Sequence, residues 1–363
     1  MVALLVLTAL ATLACAPAPV AAEVQPTVSI RALNTLIFGG VAGTGGNPAS
    51  AGTAEAELDL RSRGNSDVRS HFQLRTVLIE DPEGSAVTEV SVPRAEIRWR
   101  ADVGKGYRPR FTVGRSRLTW GDGALYNAGD VLNGARPTAL DFTEDQLRDE
   151  TKWLIAAYFP VGRFSFVEPV VLLPMVQETG AGESFATTAP DAQETAAGLR
   201  VQAPVAEVKT ELGYLYRGDA ARHYPYLSLQ GNLGVDWYGS VVVVLQQNES
   251  AYPTVSGGLF STLDAGRSGA WTARLETLWS AGEQSWRVYP ELTWAPSQLF
   301  STFLRTEATV LDRARWTDRH RPDLLTALGL QWTPSTGLSV SLYGTADMER
   351  ELQAVTLGVT YVF

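Results

Sequence analysis

Apolar and polar residues alternate along this chain with a period of two. At the C-terminus Val355, Leu357, Val359, Tyr361 and Phe363 share one face of an extended segment, and Ala354, Thr356, Gly358, Thr360 and Val362 share the other. That period predicts a strand with one apolar face and one small or polar face. The pattern recurs upstream. Trp271, Ala273, Leu275, Thr277 and Trp279 oppose Thr272, Arg274 and Glu276. Trp286, Val288, Leu292 and Trp294 oppose Glu291, Phe72, Leu74, Thr76 and Leu78 oppose His71, Gln73 and Arg75, and Ala95, Ile97 and Trp99 oppose Glu96, Arg98 and Arg100.

A soluble sandwich would turn the charged face to bulk water and the apolar face to a second sheet. A transmembrane barrel turns the apolar face to lipid and the charged face to a lumen. Aromatic residues favour the barrel. Trp99, Trp153, Trp279, Trp294, Trp332 and Tyr361 stand at predicted strand ends, where membrane girdles form. Tight turns are predicted at Phe159-Pro160-Val161-Gly162, Ala203-Pro204-Val205, Ala295-Pro296-Ser297 and Thr333-Pro334-Ser335, because Pro cannot continue a ladder. Longer polar connections fall at 40–52, 119–149, 174–193, 217–223 and 311–321. With Phe363 on the periplasmic side, the Pro turns are periplasmic and the long connections external. The expected fold is an all-β transmembrane antiparallel barrel of about 18 strands, or about 16 if the pair near 236–247 and 255–263 is lost. No helical or dinucleotide-binding pattern and no separate soluble domain is evident.

Composition refines this picture. Val2 to Leu13 is an apolar run too short to span a bilayer, followed by Val20-Ala21-Ala22 before Glu23. This predicts a signal peptide over 1–22 and a barrel over 23–363, although no basic residue precedes the run. Cys15 is the only cysteine, so no intrachain disulfide can form. It is either discarded with the signal peptide or lipidated. A mean hydropathy near zero is what alternating strands give. A net charge of −9 argues against general nucleic-acid binding. The three histidines, His71, His223 and His320, have no metal-ligand spacing, and no phosphate loop occurs. No metal, cofactor or enzymatic activity is expected. His71 is expected in the lumen, and His223 and His320 in external loops.

Candidate chemistry concentrates between Phe111 and Glu150. Gly114-Arg115-Ser116-Arg117-Leu118-Thr119-Trp120-Gly121-Asp122-Gly123 is followed by Asn127, Asp130, Asn133, Arg136-Pro137 and Asp141. The strand is expected to end near Trp120, before a connection of about thirty residues, a length usually reserved for function or disorder. Its apolar residues Tyr126, Leu132, Leu140, Phe142 and Leu147 argue against disorder. Thr143 is a candidate cap for a short helix.

The Gly-Arg strand, the Trp-Gly pair and the acidic segment after them resemble the alginate-export-type outer-membrane channels and related porin families. The chain departs from them in having Ser116 where Gln is usual, and Ala128 before Gly129-Asp130 where Pro is usual. The resemblance implies that the long loop after the fifth strand, residues 121–149, folds inward and narrows a pore. The terminal pattern also resembles the assembly signal of outer-membrane proteins. That implies recognition of Tyr361 and Phe363 by the barrel-assembly machinery.

By its own charges, this region predicts a constriction. Arg115 and Arg117 are expected on one lumen-facing side of their strand, opposed by Asp122, Asp130, Asp141, Glu144 and Asp145, with Arg136 nearby. Opposed rows of this kind orient polar solutes. The same charges could instead pair and pin the loop to the wall. Arg75, Arg98, Arg100, Arg274, Glu276, Glu291, Arg305 and Glu307 are expected to line the lumen, with Arg61 and Glu96. The function expected is passive diffusion of small polar or charged solutes across the bacterial outer membrane, whose lipid the barrel contacts. The alternatives are a substrate-specific transporter, a plugged structural or adhesin barrel, or a barrel hydrolase. Glu23 to Thr27 is too short for the plug of a hydrophobic-substrate transporter. The oligomeric state stays open.

Overall fold

Strand-forming alternation runs almost the whole length of the chain, and the structure uses it to close a ring. The computed structural model describes residues 24–363 apart from 39–48, 63–66, 82, 105, 138–141, 143–146, 149, 175–177, 180–185, 188–191, 220, 265, 267–268, 313–322 and 349–351. The first strands are β1 (Val24–Phe38), β2 (Ala49–Ser62), β3 (Val68–Glu80), β4 (Ala86–Arg100), β5 (Arg110–Ser116), β6 (Lys152–Pro160) and β7 (Phe166–Leu172). Eleven more run from Ala196–Val205 to the closing strand Leu352–Val362. All 18 form one antiparallel sheet. Strand β1 pairs with β2 on one side and with the closing strand on the other, from Ser29↔Val362 to Phe38↔Gln353. Closure removes both sheet edges, as lipid requires, since it offers no partner for an unpaired N–H or C=O. The strands Asp236–Gln246 and Tyr252–Asp264, the least secure pair in the sequence, are both in the ring.

Burial separates the two faces. On the strand Ala270–Ser280, Leu275 and Trp279 are 47% and 45% exposed, whereas Glu276 between them is 0% exposed. The same contrast sets exposed Leu212 and Tyr214 against buried Glu211, and exposed Leu304 against Arg305 and Glu307. The exposed apolar face is the outer one, and the charged face is the lumen. No helix among the described residues is long and apolar enough to cross a membrane.

Two-residue turns at 206–207, 298–299 and 336–337 lie at the end of the barrel that holds Phe363. The prolines expected in the turns sit within the strands, each last or next to last: Pro160, Pro204, Pro296 and Pro334. Pro296 and Pro334 fall where the register slips, between Trp294 and Ser297 and between Trp332 and Ser335. A residue without an N–H fits such a break without losing a ladder bond. His223 belongs to the strand Arg222–Asn232 rather than to a loop, and pairs with Tyr216. Residues 1–22 and His320 lie outside the described residues.

Candidate functional site

The site begins where β5 stops. This strand ends at Ser116, not near Trp120, and β6 starts at Lys152. The early exit separates Arg115 from Arg117. Register pairs Arg115 with Ala95 and Trp153, so it shares the outer face with Ile97 and Val113. Its Nε donates to Thr151 Oγ1 at 3.1 Å. Ser116 takes the lumen side, and Arg117, released from the ladder, also turns inward. There its guanidinium donates to the carbonyl of Arg148 at 2.6 Å. The expectation that Arg115 and Arg117 share a lumen face fails because alternation puts Arg115 on the face of Val113, and Arg117 lies past the strand where alternation no longer holds.

After Arg117 the chain forms a tight loop from Trp120 to Asn127. Gly121 has φ +69° and Gly123 φ +150°. A Cβ on Gly123 would stand 2.1 Å from the Tyr126 carbonyl oxygen, so the turn needs glycine there. The turn aims three consecutive amides one way. Ala124 N–H donates to Glu276 Oε1 at 2.9 Å, and Leu125 and Tyr126 N–H donate to Glu276 Oε2 at 2.9 and 2.7 Å. Tyr238 OH donates to the same carboxylate.

Further wall side chains grip the segment. Gly121 N–H donates to Glu211 at 2.7 Å, and Tyr226 OH donates to Glu211 at 2.6 Å. Arg200 bridges Glu211 and Glu168, and Glu168 also accepts from Trp120 Nε1. Arg217 donates to the Leu132 carbonyl at 2.9 Å. Apolar packing completes the grip. Trp120 and Leu132 pack with Leu154, Val170, Leu215 and Tyr226, and Leu125 and Tyr126 pack with Leu278, Tyr289 and Ala327. These wall residues lie on the face opposite the exposed apolar side chains.

Each described candidate charge in the segment has a partner. Asp122 pairs with Lys209 at 2.8 Å, Arg136 with Glu307 at 2.6 Å and Asp130 with Arg148 at 2.8 Å. Glu307 also accepts from Tyr126 OH at 2.6 Å. Burial pushes the Asp130 carboxyl above the ordinary carboxylate range, against the opposing pull of Arg148. Burial, and then Glu307, pushes the Tyr126 phenol up as well. Asp141, Glu144 and Asp145 lie outside the described residues, as does the candidate helix at Thr143.

Of the lumen candidates, Arg75 pairs with Glu55 at 2.8 Å and Arg98 with Glu96 at 2.9 Å. Arg274 and Arg305 share Glu291, at 2.6 and 2.9 Å. Arg100 sits across from Arg110 on β5. Sequence reasoning missed Arg148, Glu168, Arg200, Lys209, Glu211, Tyr226 and Tyr238. Alternation within the strand Val208–Arg217 could have found two of them, because Lys209 and Glu211 oppose Leu212 and Tyr214.

Two cavities flank Arg117. One of about 120 Å³ is bordered by Arg98, Arg110, Arg117, Ser116 and Glu168. The other, of about 220 Å³, is bordered by Arg117, Ala124, Arg148, Arg274, Arg305 and Glu291. In each, guanidinium groups outnumber carboxylates.

No protein-family model and no curated protein matches the sequence. Solved structures do match the fold. The Pseudomonas aeruginosa outer membrane protein OpdK aligns with TM-score 0.60 at 10% identity, over 94% of this chain and 98% of that one. P. aeruginosa OccK2 (OpdF) in complex with glucuronate aligns with TM-score 0.59 at 11% identity, over 94% and 98%. OpdK with vanillate aligns with TM-score 0.57 at 11% identity, over 93% and 98%. The chain has the fold of a bacterial outer-membrane porin.

Proposed function

We propose that this protein is a passive diffusion channel of the bacterial outer membrane for small anionic solutes, with the 121–149 segment as its constriction. The carrying observation is Arg117, which borders both cavities, each with a positive excess. Fixed positive charge at a narrow passage concentrates anions and orients a carboxylate. The proteins of similar fold named with glucuronate and vanillate bind carboxylates, which supports the same solute chemistry here. Among the described residues of the segment, Asp122, Asp130 and Arg136 are each paired, so the arginines that border the two cavities supply the fixed positive charge.

Planar-bilayer recording tests this reading. The channel is expected to pass anions in preference to cations in a salt gradient. Arg117→Gln should move the reversal potential toward cations, and neutralising Asp141, Glu144 and Asp145 should move it toward anions. Excising residues 121–137 should raise single-channel conductance. Unchanged conductance after excision would remove the segment from the pore. No conductance from the parent protein would favour a plugged structural barrel.

A further inference from the structure

Among the described wall carboxylates, Glu276 alone accepts a run of loop amides. Glu211 takes one loop amide, from Gly121, and Glu307 takes a phenol and a guanidinium. Glu276 takes three successive amides and the Tyr238 phenol, and is 0% exposed. Arg274 Nε stands 3.7 Å away and balances its charge. Ala124, the first residue held, borders the 220 Å³ cavity together with Arg274 and Arg117. The carboxylate therefore sets where the edge of that cavity lies.

We infer that Glu276 is the positioning residue of the constriction, holding the 123–126 turn at the height and depth that fix the width of the passage. This rests on the reading that the segment narrows the pore. Charge matters as well as shape. Both oxygens accept in the parent protein, and a Gln would set its NH₂ group against N–H donors of the turn. Unsatisfied buried donors drive the turn to shift toward water. Once displaced, the turn uncovers part of the lumen beside Arg117.

The test compares Glu276→Gln, Glu276→Asp and Tyr238→Phe with the parent channel in planar bilayers. The unboiled gel band reports that the barrel is intact. Glu276→Gln should raise conductance by roughly twofold and weaken anion preference, because the pore is wider around the same arginines. Glu276→Asp keeps the charge on a shorter arm and should fall between Gln and the parent. Tyr238→Phe should move conductance the same way by less. Parental conductance and selectivity in Glu276→Gln, with a wider pore after excision of 121–137, would overturn this inference alone. Parental values after excision as well would overturn the proposed constriction. If Glu276→Gln fails to give an intact barrel, the other two variants decide, and parental behaviour in both overturns the inference.

Discussion

Two parts of the lumen surface use the same chemistry to different ends. On β2 to β4, carboxylates pair with basic side chains on the same strand or the next one: Asp59 with Arg61 and His71, Glu55 with Arg75, and Glu96 with Arg98. Around the 117–137 segment they join the loop to itself or to distant strands: Asp130 with Arg148, Asp122 with Lys209, and Arg136 with Glu307. The first set is wet, with the Arg61 and Arg75 side chains 66% and 39% exposed. In the second set the Asp130 and Arg148 side chains are 0% and 5% exposed, while Lys209 and Arg136 are half-exposed like Arg75. An exposed pair is screened and adds little. A buried pair is costly to break, because the survivor is left charged and out of water. Loss of a half-exposed wall pair such as Glu55–Arg75 should therefore be tolerated, and loss of the buried Asp130–Arg148 pair should not.

The largest effect is expected from Arg148→Met. The change strands the Asp130 carboxylate and removes donors from the Leu125 and Gly134 carbonyls. Breaking a buried pair in this way costs about 3–5 kcal/mol. Because the barrel ladder is untouched, that loss should fall on the segment. Noisy single-channel current and protease cleavage near residue 134, with an intact unboiled band, would show it. Quiet channels and a protected segment would mean that the pair is not what holds the loop.

Tyr226→Phe should come next. It removes the phenol donor to Glu211 but leaves that carboxylate with Gly121 N–H and Arg200, so about 1 kcal/mol is expected. A modest rise in channel noise is the readout. An effect as large as that of Arg148→Met would break the distinction between a lone pair and a shared network.

Asp130 adds a pH dependence with a definite sign. Burial raises its carboxyl in the folded protein, so the folded state holds the proton more tightly than the unfolded chain does. The Asp130 contribution to loop order should then strengthen as pH falls toward the ordinary carboxylate range. It should weaken as pH rises through the raised value. The difference between the parent and Asp130→Asn in amide exchange over 127–134 isolates this term. Asp130→Asn should also be milder than Arg148→Met, because Arg148 keeps two carbonyl acceptors. A difference of opposite slope would mean that the pull of Arg148 outweighs burial.

The contrast also explains what could be read from the sequence. The segment 271–279 and the closing strand declare their two faces residue by residue, because strand geometry ties position to side. By that rule Glu276, Glu291, Arg305 and Glu307 take the face opposite the exposed apolar side chains, and all four are buried. It failed at Arg117, which leaves the face of Arg115 because nothing local marks Ser116 as the last residue of the ladder. It was silent on loop partners. Tyr126 meets Glu307 across 181 positions of sequence, and no periodicity links them. Glu276 reads as one more lumen charge until Gly121 and Gly123 are seen to aim three amides at it.

The smallest effect should come from the wall. Arg75→Gln removes the partner of Glu55, whose side chain is 15% exposed, but leaves the strand ladder intact. Arg75 is 39% exposed, so its Coulombic gain is largely offset by the hydration it gives up, and less than about 1 kcal/mol is at stake. Thermal unfolding of the barrel, followed by loss of the unboiled band, should match the parent. Channel noise should be parental too, because no loop atom bonds to Arg75 among the described residues. What should change is selectivity, slightly, toward cations, since one fixed positive charge leaves the lumen face. Raising the salt concentration should erase that shift, as screening shortens the reach of a solvated charge. A large loss of stability, or a salt-resistant shift, would mean that the wall pairs are as deeply committed as those of the loop, and the two regions would no longer differ in kind.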